Sequence, residues 1–255
     1  MQRSVEAGGS PRAGGSAVRR ALLAGLLLGG ACAWPAAAFA QTDARGRCFS
    51  TTISDDASIA GCTEAIKANP SDPLLWYSRG VSWTNKNDND KAIADYNEAI
   101  RLDPKYASAF GNRGLAYYNK GDYDRALTDY DVAVRLDPKN ASFLDNRGIA
   151  HYKKGNLDRA LQDYNEAIRI DSKKPLPYYN RALAYEDKKD FASALADYQR
   201  FVQLQPNDPD GPTAVKRVTA AMAAAAPPPL QTPPPPTNST VGQPQAPNPF
   251  QPRRP

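Results

Sequence analysis

A phrase 34 residues long recurs four times in this chain, and that periodicity leaves it few folds to choose from. The clearest copy runs from Ala107 to Asn140, ASAFGNRGLAYYNKGDYDRALTDYDVAVRLDPKN. Phe110, Gly114 and Tyr117 recur at helical spacing, which predicts a helix near Ala107 to Lys120. Gly121 supplies a stop and Asp122 an N-cap, and a second periodic run follows through Ala126, Tyr130 and Ala133. Asp137-Pro138 closes the unit, because proline cannot continue a helix and biases the residue before it away from one. A hairpin this short cannot bury its two apolar stripes alone and needs neighbours of its own kind. The copies begin at Pro73, Ala107, Ala141 and Pro175, giving expected repeats over 73–106, 107–140, 141–174 and 175–208.

Seven positions carry the pattern. Copy one has Trp76, Gly80, Trp83, Ala92, Tyr96, Ala99 and Pro104; copy two has Phe110, Gly114, Tyr117, Ala126, Tyr130, Ala133 and Pro138. Copy three has Leu144, Gly148, His151, Ala160, Tyr164, Ala167 and, in place of proline, Ser172. Copy four has Tyr178, Ala182, Tyr185, Ala194, Tyr198, Val202 and Pro206. Glycine and alanine let paired helices approach closely and the aromatics fill the remaining space. This spacing and these residues resemble the tetratricopeptide repeat (TPR). The resemblance implies an all-α solenoid of helical hairpins whose role is to bind other proteins.

Two further features recur. Arg79, Arg113, Arg147 and Arg181 precede the small residue of each first helix, and Asp95, Asp129, Asp163 and Asp197 precede the aromatic of each second helix. Fixed register in four copies predicts partly buried ion pairs that set stacking geometry. One residue before each arginine stand Ser78, Asn112, Asn146 and Asn180. In TPR arrays the first helix lines the concave face, so these residues are expected to form a ladder able to donate to and accept from an extended peptide. Tyr77, Tyr179, Tyr118 and Tyr152 are expected to flank it with amphipathic surface. The lysine and arginine clamp of chaperone-binding TPRs is absent from the matching positions Tyr77, Gly111, Ser142, Asp145 and Leu176. The other reading is that each asparagine satisfies a neighbouring backbone group.

Residues 1–40 read as a secretory signal peptide: Arg19-Arg20, the apolar run ALLAGLLLGGACAW, and Ala38-Phe39-Ala40 before a cleavage point. The apolar run falls short of the ~20 residues a spanning helix needs, so no transmembrane segment is expected in the mature chain. Export to the bacterial periplasm follows, with a lipidated Cys32 as the weaker alternative because Gly29 stands where leucine is usual. The remaining cysteines, Cys48 and Cys62, are then expected to form a disulfide, two separate buried thiols being the alternative. Residues 41–72 read as an N-terminal cap whose helix, 57–69 with Asp55 or Asp56 as N-cap, aligns Cys62 with Tyr96 and Ala65 with Ala99. A bond to Cys48 would pin the segment before it over the end of the array, a loop worth roughly 3 kcal/mol.

After Pro206 the register looks lost. A capping helix is expected within 209–226, with Val215, Val218 and Met222 on its inner face. From Pro227 to Pro255 the chain is proline-rich without apolar periodicity, which predicts a disordered, extended tail. Of the formal charge of +5, +3 sits in the first forty residues; between Pro73 and Asp208, 21 Lys and Arg interleave with 20 Asp and Glu. That is a solvated surface and not a phosphate-binding stripe, so nucleic acid is not the expected partner. His151, the only histidine, falls at an inward position held elsewhere by Trp83, Tyr117 and Tyr185, and is expected to be packed. No nucleophile motif, phosphate loop or metal-ligand spacing occurs. The expectation is a non-catalytic envelope protein without cofactor or metal that holds a peptide or protein segment in a concave groove. The alternative is an assembly scaffold whose partners dock on other faces.

Overall fold

The computed structural model describes residues 44–225. The expected signal peptide over 1–40 and tail over 227–255 lie outside the described residues. A helical turn at 44–48 precedes ten helices: α1 Asp55–Ala68, α2 Pro73–Asn85, α3 Asn89–Leu102, α4 Ala107–Asn119, α5 Tyr123–Leu136, α6 Ala141–Lys153, α7 Leu157–Ile170, α8 Leu176–Asp187, α9 Phe191–Leu204 and α10 Asp210–Ala225. Among the described residues there is no strand. The fold is an all-α solenoid in which each helix packs on the next in sequence. The first helices of successive repeats also touch, α2 with α4, α4 with α6 and α6 with α8, while no two second helices are packed comparably. The array therefore curves with the first helices on its inner, concave side.

Local chemistry explains the boundaries. The side chains of Asp72, Asp88, Asp122, Asn140 and Asp190 accept from backbone N–H groups at helix N-termini, each such cap being worth ~1 kcal/mol. The N-cap of α1 is Ser54, whose Oγ accepts from Ala57 N, and not Asp55 or Asp56. Those acids occupy the first turn instead, where they complement the positive end of the helix dipole. The turn inside each hairpin needs one left-handed residue: Gly121 and Gly155 at φ 78° and 77°, Asn87 and Lys189 at 59° and 63°. Glycine adopts that conformation without steric cost and lysine does not.

The small-residue positions act as expected. A Cβ on Gly80, Gly114 or Gly148 would lie within 3 Å of the ring of Tyr96, Tyr130 or Tyr164. These tyrosines and Tyr198 are fully buried, as are Ala92, Ala126, Ala160 and Ala194.

The Arg–Asp pairs form forks. In all four repeats arginine Nε and Nη2 donate to the two carboxylate oxygens of the aspartate 16 residues later, at 2.6–2.9 Å. The third nitrogen does something the sequence did not announce. Nη1 reaches the second helix of the preceding unit, at Thr63, Asn97, Asp131 and Asn165, over 2.6–3.0 Å. Each arginine thus ties its own hairpin and staples it to the one before. Along another edge Lys86, Lys120, Lys154 and Lys188 pair with Asp56, Asp90, Asp124 and Asp158 of the preceding unit. These are exposed pairs, each worth well under ~1 kcal/mol.

Both ends are half-repeats. In α1, Ser58, Cys62 and Ala65 are buried and stand 34 residues before Ala92, Tyr96 and Ala99. The turn at 44–48 lies on this helix, with the Cys48 and Cys62 sulfurs 2.06 Å apart and their Cα atoms 4.4 Å apart. At the other end the register is not lost after Pro206. Buried Gly211, Ala214 and Val218 of α10 stand 34 residues after Pro177, Asn180 and Ala184, so α10 is a fifth first helix. Its inner face differs from the one expected: Val215 is half-buried and Met222 is 45% exposed. Lys216 occupies the position of the repeat glycine and is exposed. Arg217 docks α10 by donating to Glu186 and to the Tyr198 hydroxyl.

Candidate functional site

The concave side is built from the inner row α2, α4, α6 and α8, and its side chains are less open than the sequence implied. Asn112 is 1% exposed, and its Nδ2 donates to the Tyr77 hydroxyl of the preceding repeat at 3.0 Å. Asn180 is half-buried and donates to Asp145 Oδ1 at 3.0 Å, again 35 residues back. Tyr77, Tyr118, Asn146 and Tyr179 are buried, while Ser78 and Tyr152 are half-buried. The reason is cover from neighbouring elements. Tyr106, in the loop before α4, packs 4.9 Å from the Tyr77 ring; Tyr123 packs against Tyr118; Tyr198 and Phe201 pack against Tyr179. Phe143 fills the space above Gly111, where a Cβ would meet its ring at 2.4 Å. Burial pushes the Tyr77 hydroxyl up to about 12, against the hydrogen bonds from Asn112 and Ser108. Asn112 and Asn180 therefore tie one first helix to the preceding one through side chains, which neither the open ladder nor the backbone-satisfying reading described.

Where the row does open is between repeats three and four. A cavity of about 170 Å³ is lined by Ser142, Asp145 and Asn146 of α6, by Asp171, Lys173, Lys174 and Pro175 of the linker, and by Leu176 and Pro177 of α8. Asp145 is 6% exposed. Lys174 Nζ donates to Ser142 Oγ at 2.9 Å. In register, Asp145 and Lys174 take the places that Tyr77 and Tyr106 hold in repeat one. An aromatic stack there gives way to an acid and a base on one cavity wall. The linker differs too: Ser172 replaces the repeat proline and Pro175 delays the next helix, which starts at Leu176. Sequence reading treated Ser142, Asp145 and Leu176 only as a missing clamp; the linker's departure from pattern was the available signal.

His151 is half-buried, and its Nδ1 is enclosed without a hydrogen-bond partner. Burial lowers its pKa, with Arg147 and Arg159 adding to the shift and Asp163 and Asp131 opposing it. In repeats one and two the equivalent ring carries a cation over its face, Lys91 over Trp83 at 4.3 Å and Arg125 over Tyr117 at 4.5 Å. Among the described residues no three His, Cys, Asp or Glu side chains converge as a metal site, and no helix is long and apolar enough to cross a membrane.

Models of the tetratricopeptide repeat match residues 112–175 and 175–208, and a TPR repeat model matches 84–121. The chain belongs to the tetratricopeptide-repeat family. A comparison with curated protein sequences gave no match. Among solved TPR structures, MamA 41-end from Desulfovibrio magneticus RS-1 superposes with a TM-score of 0.60 at 18% identity, covering 68% of this chain and 97% of its own. A crystal structure of MamA gives 0.55 at 21%, covering 60% and 89%. YrrB, described as a TPR protein with an unusual peptide-binding site, gives 0.54 at 20%, covering 64% and 84%. These likenesses establish the shared fold, and none of the matches indicates a catalytic family.

Within this TPR array the scaffold and the candidate surface separate cleanly. The glycines, alanines and second-helix tyrosines are enclosed in every repeat. Of the residues expected to line the groove, Ser78, Tyr152 and Asn180 are half-open, as are the walls of the cavity between α6 and α8.

Proposed function

We propose that this TPR protein is an exported, non-catalytic interaction module that holds a peptide or protein segment along its concave face in the bacterial cell envelope. The observation that carries the reading is the cavity on the inner row, where Asp145, Lys174 and Ser142 stand beside Leu176 and Pro177. Hydrogen-bonding groups next to apolar ones are what an extended segment needs for both its backbone and its side chains. The peptide-binding site named for YrrB supports it as an analogy of architecture. Export is supported by the composition of residues 1–40 and by the placing of Cys48 beside Cys62, the only cysteines after residue 40, since disulfides persist in oxidising compartments.

A photoreactive residue at Tyr152, on the inner row, tests the groove against one at Gln162, exposed on a second helix. Envelope extract should give discrete adducts from position 152, lost on Asn180→Arg, and none from 162. Adducts from 162 alone would favour the scaffold with partners on other faces. The exported chain should begin at Gln41 and carry Cys48 and Cys62 as a disulfide; retention of residues 1–40, or two free thiols, would contradict export.

A further inference from the structure

We infer that the proline-rich segment 227–255 of this same chain occupies its own concave face and competes with the external partner. This rests on the reading of that face as a peptide site and names its regulator. Three observations lead to it. The first is charge. In the four repeats, the inner positions equivalent to Leu74, Tyr77, Ser78, Val81 and Thr84 carry only two charged residues, Asp145 and Glu186, both acidic. The segment 227–255 carries only two as well, Arg253 and Arg254, both basic. Away from the cavity wall with its acids and lysines, a nearly uncharged strip suits a nearly uncharged ligand, because neither must shed strongly held water.

The second is shape and chemistry. Val81, Ile149 and Leu183 form a half-buried apolar line at one register position, and Tyr152 and Asn180 flank it. Proline-rich chain in the polyproline II conformation offers apolar rings and unpaired carbonyls, and aromatic-lined grooves with a few donors recognise it. The third is reach. The described chain ends in α10, which continues the register of the first helices. The 28 residues from Ala225 to Arg253 span about 87 Å at ~3.1 Å per residue. Crossing the whole row needs only about 40 Å at ~10 Å between neighbouring helices.

Tethering makes weak contact sufficient. With an effective concentration of ~1 mM for a flexible linker, an intrinsic Kd of ~0.1 mM closes about nine molecules in ten. An external partner then binds about 10-fold more weakly than it would to an open groove.

The full-length chain carrying a photoreactive residue at position 152 is irradiated alone, and the adduct is mapped by mass spectrometry. An equal mixture of isotope-labelled and unlabelled chains is irradiated in parallel. Adducts to residues 227–255 within one molecule, several-fold reduced by Arg253→Glu with Arg254→Glu, support the inference. Mixed-isotope adducts would show that the segment comes from a second copy, and the absence of tail adducts would show that the groove is open; either overturns it. Both results leave the comparison of positions 152 and 162 with an external partner intact, so the two ideas fail separately.

Discussion

Replacing Arg113 by leucine removes one member of a fork that the geometry shows to be nearly dry. Asp129 is 4% exposed and accepts from Arg113 Nε and Nη2 at 2.8 and 2.7 Å, and Nη1 holds Asn97 of the preceding repeat at 2.6 Å. The Arg113 guanidinium is held above its usual range: burial works to lower it, and the hydrogen bond and charge of Asp129 more than offset that. In the equivalent pair of repeat one, burial pushes the Asp95 carboxyl up despite Arg79, so desolvation is a large cost. Leaving a buried carboxylate without its partner costs about 3–5 kcal/mol, whereas replacing both members by apolar groups is often close to neutral. Arg113→Leu should therefore cost about 3 kcal/mol, the lower end, because the arginine is partly exposed. That lowers the melting temperature by about 6–12 °C for an array of this size. Adding Asp129→Leu should recover most of the loss. Thermal and urea unfolding followed by circular dichroism reads both values. A single substitution costing under ~1 kcal/mol, or a double variant no better than the single, would refute the reasoning.

Other outcomes follow from particular contacts. Gly114→Ala brings a Cβ to 2.9 Å from the Tyr130 ring and 3.2 Å from the Ala126 carbonyl oxygen; overpacking of about 1–3 kcal/mol should exceed the ~1 kcal/mol gained in helix propensity, a net loss visible in urea melts. Lys189→Gly relieves the left-handed φ of 63° and should stabilise by ~1 kcal/mol, read as a higher urea midpoint at unchanged slope. The lowered His151 pKa means that the unfolded chain binds the proton more readily. Its contribution is complete above the unfolded value near ~6.5 and is lost as pH falls through the lower folded value. His151→Tyr, matching Tyr117 and Tyr185, should flatten that acid slope in melts taken from pH 7 downward. An unchanged slope would count against the burial of its ring nitrogen.

Most of the fold was legible because a 34-residue period with glycine, alanine and aromatics at set places has one economical packing. The Arg–Asp forks were legible for the same reason, both partners being constant. The third arginine contact was not, because its acceptor changes from Thr63 to Asn97, Asp131 and Asn165 and shares only an oxygen at one position. The register of α10 was hidden by Pro212 and Lys216, which stand where a repeat has an aromatic and a glycine. The inner row was the hardest. Helical spacing placed Asn112 and Tyr77 on the correct side of their helices, but burial depends on what arrives from elsewhere. Tyr106 and Phe143 come from the next linker and the next repeat, and no periodicity within one helix encodes them.

The claim that the inner row is the working face is tested most directly by the affinity of the crosslinked segment for two charge-adding variants. Asn180→Arg replaces the donor to Asp145 of the cavity wall with a cation, and Gln162→Arg adds the same charge to a second helix. Isothermal titration should give at least about a 10-fold weaker Kd for the first, equivalent to ~1.4 kcal/mol, and an unchanged Kd for the second. Equal affinities for both variants would contradict the account.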